Sequence, residues 1–154
     1  MKYRRLSNEE LKELENEFIE FLSANTITGN DWEKLKSDNP EKVNALIEQF
    51  SDIVLQKVLE KIKYLELRTP YDWKVFHCGK ANISMIGLSI SEFSELDLTK
   101  QITTADLSES GAEIYSGEKA YQGERESEIF GMLDIGCSIA SPQVFEMMKK
   151  LMES

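Results

Sequence analysis

Residues 40–67 constrain the fold of this 154-residue chain most, because their apolar side chains recur at helical spacing without interruption. The first half of the segment carries one apolar stripe, and the second half extends it to another side of the helix. The two sets are Val43, Leu46, Ile47, Phe50 and Val54, then Leu55, Val58, Leu59, Ile62 and Leu65. A helix packed on one side needs a stripe of only ~100°. We therefore predict a long central helix that is covered from two directions or that also meets a partner.

Local signals set the ends of this helix and predict two further helices before it. Asn39 is a good N-cap with Pro40 at the first helical position, and Thr69-Pro70 should end the helix. Ser7 and Glu10 form a capping-box pattern, which predicts a first helix over residues 8–24. Its apolar stripe consists of Leu11, Leu14, Phe18, Phe21 and Leu22. Thr28 can cap a short second helix through Lys36, anchored by Trp32 and Leu35.

After Pro70 the pattern changes to that of β-strands. Residues 73–78 and 83–90 are rich in β-branched and aromatic side chains, and residues 79–82 supply a turn, so we predict an antiparallel hairpin. Residues 112–121 suggest a third strand, broken at Gly117. The polar residues 91–111 have only weak periodicity and receive no assignment.

The chain closes with two predicted helices. One covers residues 126–135, with Gly136 at its C-cap, and Ser141-Pro142 opens the other. The last helix should turn its apolar side chains inward: Val144, Phe145, Met148, Leu151 and Met152. Met147, Met148 and Met152 fit either a core or an adaptable partner surface.

These elements predict one α+β domain over residues 1–154. Its helical part covers about residues 1–68 and forms an N-terminal helical hairpin with a long central helix. A mixed part over about residues 70–154 holds a small antiparallel sheet and two C-terminal helices.

The chain is acidic, with a formal net charge of −10 that is unevenly placed. Between residues 91 and 134, eleven acidic side chains face only Lys100, Lys119 and Arg125. Because phosphate backbones are bound by clustered Lys and Arg, this balance argues against direct nucleic-acid binding. It favours a basic protein partner or a solvated surface.

Several features predict a cytoplasmic chain without a membrane segment. No apolar run approaches the ~20 residues that span a bilayer. The basic amino terminus has no apolar stretch after it, as a secretory signal would have. Cys78 and Cys137 are far apart and form no metal or redox motif, as expected in a reducing compartment.

The residues that most often carry catalysis are scarce. His77 is the one histidine, and its neighbour Cys78 should point to the opposite face of the same strand. There are too few Cys and His residues for a zinc site and no phosphate-binding glycine loop. We therefore assign no catalytic, cofactor-binding or metal-binding residue, and no cofactor.

Five sequence segments resemble a family of small Bacteroidota proteins catalogued only as a domain of unknown function. They are KYRRLSNEELKELENEFIEFL, DWEKLK, FSDIVLQKVLEKIKYLE, GEKAY and EIFGMLDIG. The resemblance implies a small cytoplasmic bacterial protein with a single domain. It brings no catalytic residue, cofactor or substrate.

Three functional hypotheses remain open. The leading one is a non-enzymatic protein-interaction or regulatory module, whose partner is another protein or a second copy of the chain. An alternative is a small-molecule-binding protein or enzyme with a site between the sheet and the long helix. Its candidate groups are His77, Tyr64, Tyr71, Trp73 and Glu113. A third is an acidic nucleic-acid mimic that inhibits a basic target.

Overall fold

The computed structural model describes residues 1–153 and shows an α+β chain divided into two compact units, the first covering Met1–Glu60 and the second starting at Lys61. The helices in this range are α1 (Asn8–Glu13), α2 (Glu15–Ala24), α3 (Gly29–Asp38), α4 (Pro40–Lys61), α5 (Thr104–Glu109), α6 (Arg125–Asp134) and α7 (Pro142–Glu153). The strands are β1 (Tyr64–Arg68), β2 (Asp72–Cys78), β3 (Asn82–Ser89), β4 (Glu113–Ala120) and β5 (Ser138–Ile139). That the whole chain is one domain stays a prediction.

The helices of the first unit begin where capping residues place them. Ser7 and Glu10 form the predicted capping box, and Thr28 forms another with Asp31. The helix predicted over residues 8–24 is interrupted at Leu14, where the backbone leaves helical geometry at φ −103°. Hydrogen bonds of the α-helical type still cross the interruption, from Leu14 N–H to Glu10 and from Phe18 N–H to Leu14.

Aromatic rings form the centre of the first unit. The Phe18 ring lies 5.0 Å from that of Phe50 and 5.2 Å from that of Trp32, and Phe21 lies 5.4 Å from Phe50. Phe50 of the early stripe therefore packs against α2. Trp32 anchors α3, as predicted. Each aromatic pair is worth about 0.5–1.5 kcal/mol beyond the area it buries.

The amino-terminal residues lie along α4 and are held by polar contacts. The N–H groups of Lys2 and Tyr3 donate to the Asp52 carboxylate over 2.7 and 3.0 Å. The Leu6 N–H donates to the Ser51 hydroxyl, which is fully buried and donates in turn to the Ile47 carbonyl. Ser51 thus gives a buried backbone donor a partner inside the unit.

The prediction that the long helix continues to residue 67 is wrong. The helix ends at Lys61, and residues 64–68 form β1, which pairs with β2 on one side and β5 on the other. In this segment, Leu65 is fully buried as a strand residue rather than as part of the helical face. The two neighbouring strands bond the backbone of this segment from both sides, and such tertiary pairing overrides local propensity. On α4 itself, Ile53 and Val58 stay 40% and 46% exposed.

The second unit is built on a five-stranded antiparallel sheet with the order β4-β3-β2-β1-β5. The predicted β2–β3 hairpin is confirmed. The predicted break at Gly117 is wrong, because β4 pairs continuously with β3 and Gly117 lies opposite Met85. An interior glycine weakens a strand but need not interrupt its pairing.

One face of this sheet carries the core of the second unit. Trp73 and Val75 of β2 and Ile86 and Leu88 of β3 are at most 4% exposed, and they cluster with Met148 of α7. Val144, Phe145, Met147 and Leu151 pack around this cluster. The inward face predicted for α7 is therefore largely right, whereas Met152 is 42% exposed.

The segment 91–111, which received no assignment, contributes to the same core. Leu98 and Leu107 are 0% and 3% exposed and belong to the cluster. Leu107 lies on α5, whose start is capped by Thr103 and Asp106. The Leu98 N–H donates to the Pro70 carbonyl over 3.0 Å.

The end of α6 shows why a glycine stands at position 136. The Gly136 N–H bonds to the Leu133 carbonyl and the Cys137 N–H to the Met132 carbonyl, which together form a Schellman motif. Gly136 has φ +114°, a conformation that other residues rarely adopt. The predicted C-terminal signal of this helix is confirmed.

Arg125, the first residue of α6, ties that helix to one end of the sheet. Its guanidinium Nε donates to the Gly79 carbonyl over 2.9 Å, and Nη2 donates to the carbonyls of Cys78 and Ile62. The Tyr121 hydroxyl also donates to Gly79, over 2.8 Å. The bonds from Arg125 are charge-assisted. They satisfy the carbonyls of Cys78 and Gly79, where β2 ends, and of Ile62, just before β1.

Near the other end of the sheet, the ring of Tyr115 lies across the backbone of Gly87 on the neighbouring strand. A Cβ atom at position 87 would overlap the Cζ and Cε2 atoms of that ring. The Tyr115 hydroxyl donates to Asp72 Oδ1, and the Lys74 ammonium lies 2.5 Å from Asp72 Oδ2. Only glycine lets the ring lie this close to the sheet.

We expect Gly87→Ala to lower the free energy of unfolding by about 1–3 kcal/mol, because the new methyl group must displace the Tyr115 ring. Urea unfolding would measure the change. Gly117→Ala is the matched control on the next strand. Its new Cβ would meet nothing closer than Met85 Cε at 4.0 Å, so stability should stay level or rise. Equal losses in both variants would refute the close approach at Gly87.

Candidate functional site

Among the described residues 1–153, strand β4 is an outer strand of the sheet, with β3 on one side and no strand on the other. It pairs with β3 along its whole length, from Glu113 opposite Ser89 to Ala120 opposite Asn82. Edge strands in natural proteins are usually short, bulged or interrupted by proline. This strand is eight residues long, has no proline and keeps one register throughout.

The hydrogen-bond pattern shows which backbone groups of β4 point away from the sheet. The Tyr121 N–H donates to the Ala81 carbonyl, so residues with odd numbers bond to β3. The even residues then direct their N–H and C=O groups outward: Ile114, Ser116, Glu118 and Ala120. Within residues 1–153, no backbone or side-chain hydrogen bond reaches these outward groups. Residues 116–120 are all exposed, so this row of donors and acceptors is open to solvent.

A groove of about 500 Å³ lies beside this edge, on the face of the sheet that carries α7. The sheet lines it with His77, Ser84, Ser116 and Glu118, and α7 lines it with Phe145, Lys149 and Met152. The groove therefore combines an aromatic ring, an exposed methionine and both signs of charge. Side chains of a strand added to β4 would alternate between this face and the other one.

His77 belongs to an aromatic cluster. Its ring lies 5.1 Å from that of Tyr64 and 5.9 Å from that of Phe145. Across the sheet, His77 is opposite Ser84 on β3, and Ser84 is opposite Glu118 on β4. The strand pairing thus places His77 and the Glu118 carboxylate in one row of the sheet, and both line the groove.

The five candidate groups for a small-molecule site do not gather in one place. Tyr64 and His77 are neighbours, whereas Trp73 is buried near the other end of β2 beneath the Arg68 guanidinium, 3.7 Å away. Tyr71 is 46% exposed before β2. Glu113 is exposed at the start of β4. Of the five predicted residues, only Tyr64 and His77 are shown close enough to act together.

The two cysteines are free and buried, Cys78 at 1% and Cys137 at 7% exposure. Burial raises the pKa of the Cys78 thiol to about 11, and the nearby Arg125 guanidinium opposes the shift only in part. Burial also raises the pKa of Cys137. Both thiols are therefore protonated near neutral pH and poor nucleophiles.

On the face opposite the groove, Tyr115 joins β4 to β2 across β3. Burial is the main cause that raises the pKa of Tyr115, and its hydrogen bond to Asp72 adds to the shift. The hydrogen bond to Asp72 raises the pKa of Lys74. This contact holds β4 against the sheet and leaves its outer edge open.

A second groove, of about 690 Å³, lies between α5 and α7. It is lined by Thr104, Ser108, Pro142, Gln143, Glu146, Met147, Lys150 and Leu151. Its charged residues, Glu146 and Lys150, lie on α7, and none of its lining residues belongs to a strand. We therefore place the candidate site at β4 rather than here.

Within residues 1–153, no three His, Cys, Asp or Glu side chains come together as metal ligands. No helix in the same range is both long enough and apolar enough to cross a lipid bilayer. The absence of a cofactor stays a prediction.

The open edge of β4 is a structural feature that sequence reasoning missed. A strand at residues 112–121 was expected, but nothing in its composition shows which strands lie beside it. The mixed charges of Glu118 and Lys119 were the available signal, since charged side chains are common on edge strands.

The chain belongs to DUF6495, a family of unknown function, whose profile matches residues 1–153. The predicted family resemblance is thus confirmed at the level of a family of unknown function. No curated protein and no solved structure matches the chain significantly.

We expect the stabilising effect of Tyr115 to fade in alkali. Its pKa is raised in the folded chain, so its contribution is complete below the unfolded pKa of about 10 and is lost as pH rises through the folded value. The stability difference between the native chain and Tyr115→Phe should therefore shrink from about pH 8 to about pH 11. Urea unfolding at both pH values measures it, and a constant difference would contradict the assigned environment.

Proposed function

We propose that this chain is a non-enzymatic protein-interaction module whose β4 edge accepts an extended strand from a protein partner. The observation that carries the proposal is the open backbone row at Ile114, Ser116, Glu118 and Ala120. Strand addition uses such a row for main-chain hydrogen bonds and adjacent pockets for side-chain selection.

The geometry supports both halves of this recognition mode. Each new backbone hydrogen bond would contribute about 0.5–1.5 kcal/mol net, because the exposed groups already bond to water. The groove beside the edge offers Phe145 and Met152 for an apolar side chain. Lys149 and Glu118 at the same groove can select for charge.

Two buried free thiols support a cytoplasmic setting for this module, since reducing compartments keep cysteines unpaired. The nucleic-acid-mimic hypothesis has weaker support. On β4, Lys119 stands directly beside Glu118, so the edge does not present an unbroken row of carboxylates.

The alternative function is small-molecule binding in the groove, because His77 and Glu118 both line it. The two functions differ in what they require from β4. Strand addition needs the outward N–H of Ser116, whereas a small molecule held by side chains does not.

Ser116→Pro tests this distinction, because proline removes the outward N–H while the pairing to β3 uses residues of odd number. Linear ten-residue peptides selected from a random phage-displayed library would be measured against each variant by fluorescence anisotropy. We expect Ser116→Pro to weaken binding at least about tenfold, through the lost bond and the bulk of the ring at the edge.

Ser116→Ala is the matched control, because it removes the hydroxyl but keeps the N–H, and it should bind the peptides like the native chain. Urea unfolding would establish that both variants fold. Equal peptide affinity for Ser116→Pro and Ser116→Ala would contradict strand addition. Failure to select any peptide whose binding depends on β4 would also contradict it.

A further inference from the structure

We propose that the strand accepted by β4 is β4 of a second copy of this chain, paired antiparallel about a two-fold axis at Ser116. This inference rests on the proposed function, since it names the partner that the open edge receives. A symmetric dimer requires the edge to be complementary to itself. The residues of β4 meet that requirement.

Backbone geometry limits the ways in which two β4 strands can pair. Outward groups belong to residues of even number, so even residues must lie opposite even residues. Two registers then keep the longest overlap between the strands. One is centred on Ser116 opposite itself, and the other on Gly117 opposite itself.

Charge favours the register centred on Ser116. It places Glu113 of each copy opposite Lys119 of the other, and the two-fold axis repeats the pair. The register centred on Gly117 instead places Lys119 opposite Tyr115 and carries Glu113 past the end of β4. Opposite charges directly across an antiparallel pair are stabilising.

These two side chains cannot form this pair within one chain. Glu113 and Lys119 are six residues apart on one extended strand, a separation of roughly 20 Å. The Lys119 ammonium lies 3.8 Å from Glu128 Oε2. The Lys119 side chain is nevertheless 64% exposed, so it is accessible from the edge. Glu113 is also exposed.

The remaining pairs at this register fit without conflict. Tyr115 lies opposite Gly117, which has no side chain, and the Tyr115 ring is already turned inward over Gly87. Ser116 lies opposite Ser116, where two hydroxyl groups can exchange a hydrogen bond. Ile114 lies opposite Glu118. Each of the pairs of even residues can exchange two backbone N–H···O bonds.

The net charge of −10 on each copy opposes association at long range. At physiological ionic strength the Debye length is about 8 Å, so diffuse repulsion is screened while pairs in contact persist. One shared strand pair is a small interface, which predicts a dissociation constant on the order of 10 µM rather than a permanent dimer.

Sedimentation equilibrium at physiological ionic strength tests the pairing, with the chain at up to about 500 µM, well above that dissociation constant. We expect a monomer–dimer equilibrium for the native chain. Glu113→Lys and Lys119→Glu should each raise the dissociation constant about tenfold or more, because each creates two like-charge pairs. The double variant Glu113→Lys/Lys119→Glu restores opposite charges across the axis and should recover the native value.

A monomer at every concentration would overturn the proposal, as would a dimer that is insensitive to these reversals. A double variant as weak as the single ones would also overturn it. Both substitution sites, Glu113 and Lys119, are exposed edge positions, and urea unfolding would establish that the three variants fold.

A cysteine pair reports the register directly. Under mild oxidation Ser116→Cys should form a disulfide-linked dimer, because Cα atoms of a hydrogen-bonded pair lie about 5.5 Å apart, within disulfide reach. Gly117→Cys should crosslink more slowly. Faster crosslinking of Gly117→Cys would overturn the register centred on Ser116.

Peptide binding separates the failure of this inference from that of the proposed function. A chain that stays monomeric but binds selected peptides through the Ser116 N–H overturns self-pairing and leaves strand addition intact. A chain that neither dimerises nor binds such peptides overturns both.

Discussion

The contact between the Tyr115 ring and the Gly87 backbone organises the sheet around β4. The ring can lie there only because position 87 lacks a side chain, and its hydroxyl then reaches Asp72 beyond β3. This contact joins three strands through one side chain. Because the odd residues of β4 bond to β3, the N–H and C=O groups of the even residues point away from the sheet. The edge is open because β4 is the last strand of the sheet order, and the contact on its inner side fixes which backbone groups face outward.

At the far end of the sheet, Arg125 has the complementary role. Its guanidinium and the Tyr121 hydroxyl bond to carbonyls around Gly79, which holds the chain that leaves β4 close to the β2–β3 turn. A strand fixed at both ends can present a regular backbone row without fraying. Such preorganisation lowers the entropy that a partner strand must overcome, which is how a small edge can bind usefully. The rigid edge and the neighbouring groove thus form one surface.

Local signals in the sequence predicted the parts of the fold that depend on local chemistry. The capping boxes, the β2–β3 hairpin and the C-terminal signal at Gly136 all depend on residues close in sequence. The segment at Tyr64–Arg68 was assigned wrongly, since its apolar spacing suits a helix as well as a strand, and only its pairing with β2 and β5 decides. The candidate site at β4 was not predicted from the sequence for the same reason. Which strand lies at an edge is a property of the whole sheet, and the charges of Glu118 and Lys119 were the one local signal of it on β4. Coverage of the second face of the long helix stays a prediction.

Strand β4 has an alternating bonding pattern, in which odd residues bond to β3 and even residues leave their N–H and C=O groups open. Residue-resolved amide hydrogen exchange by NMR, on the chain diluted well below the expected dissociation constant, tests it directly. We expect slow exchange at residues 115, 117 and 119 and fast exchange at residues 114, 116 and 118. Uniform protection along the strand in the dilute monomer, or uniform fast exchange, would contradict it.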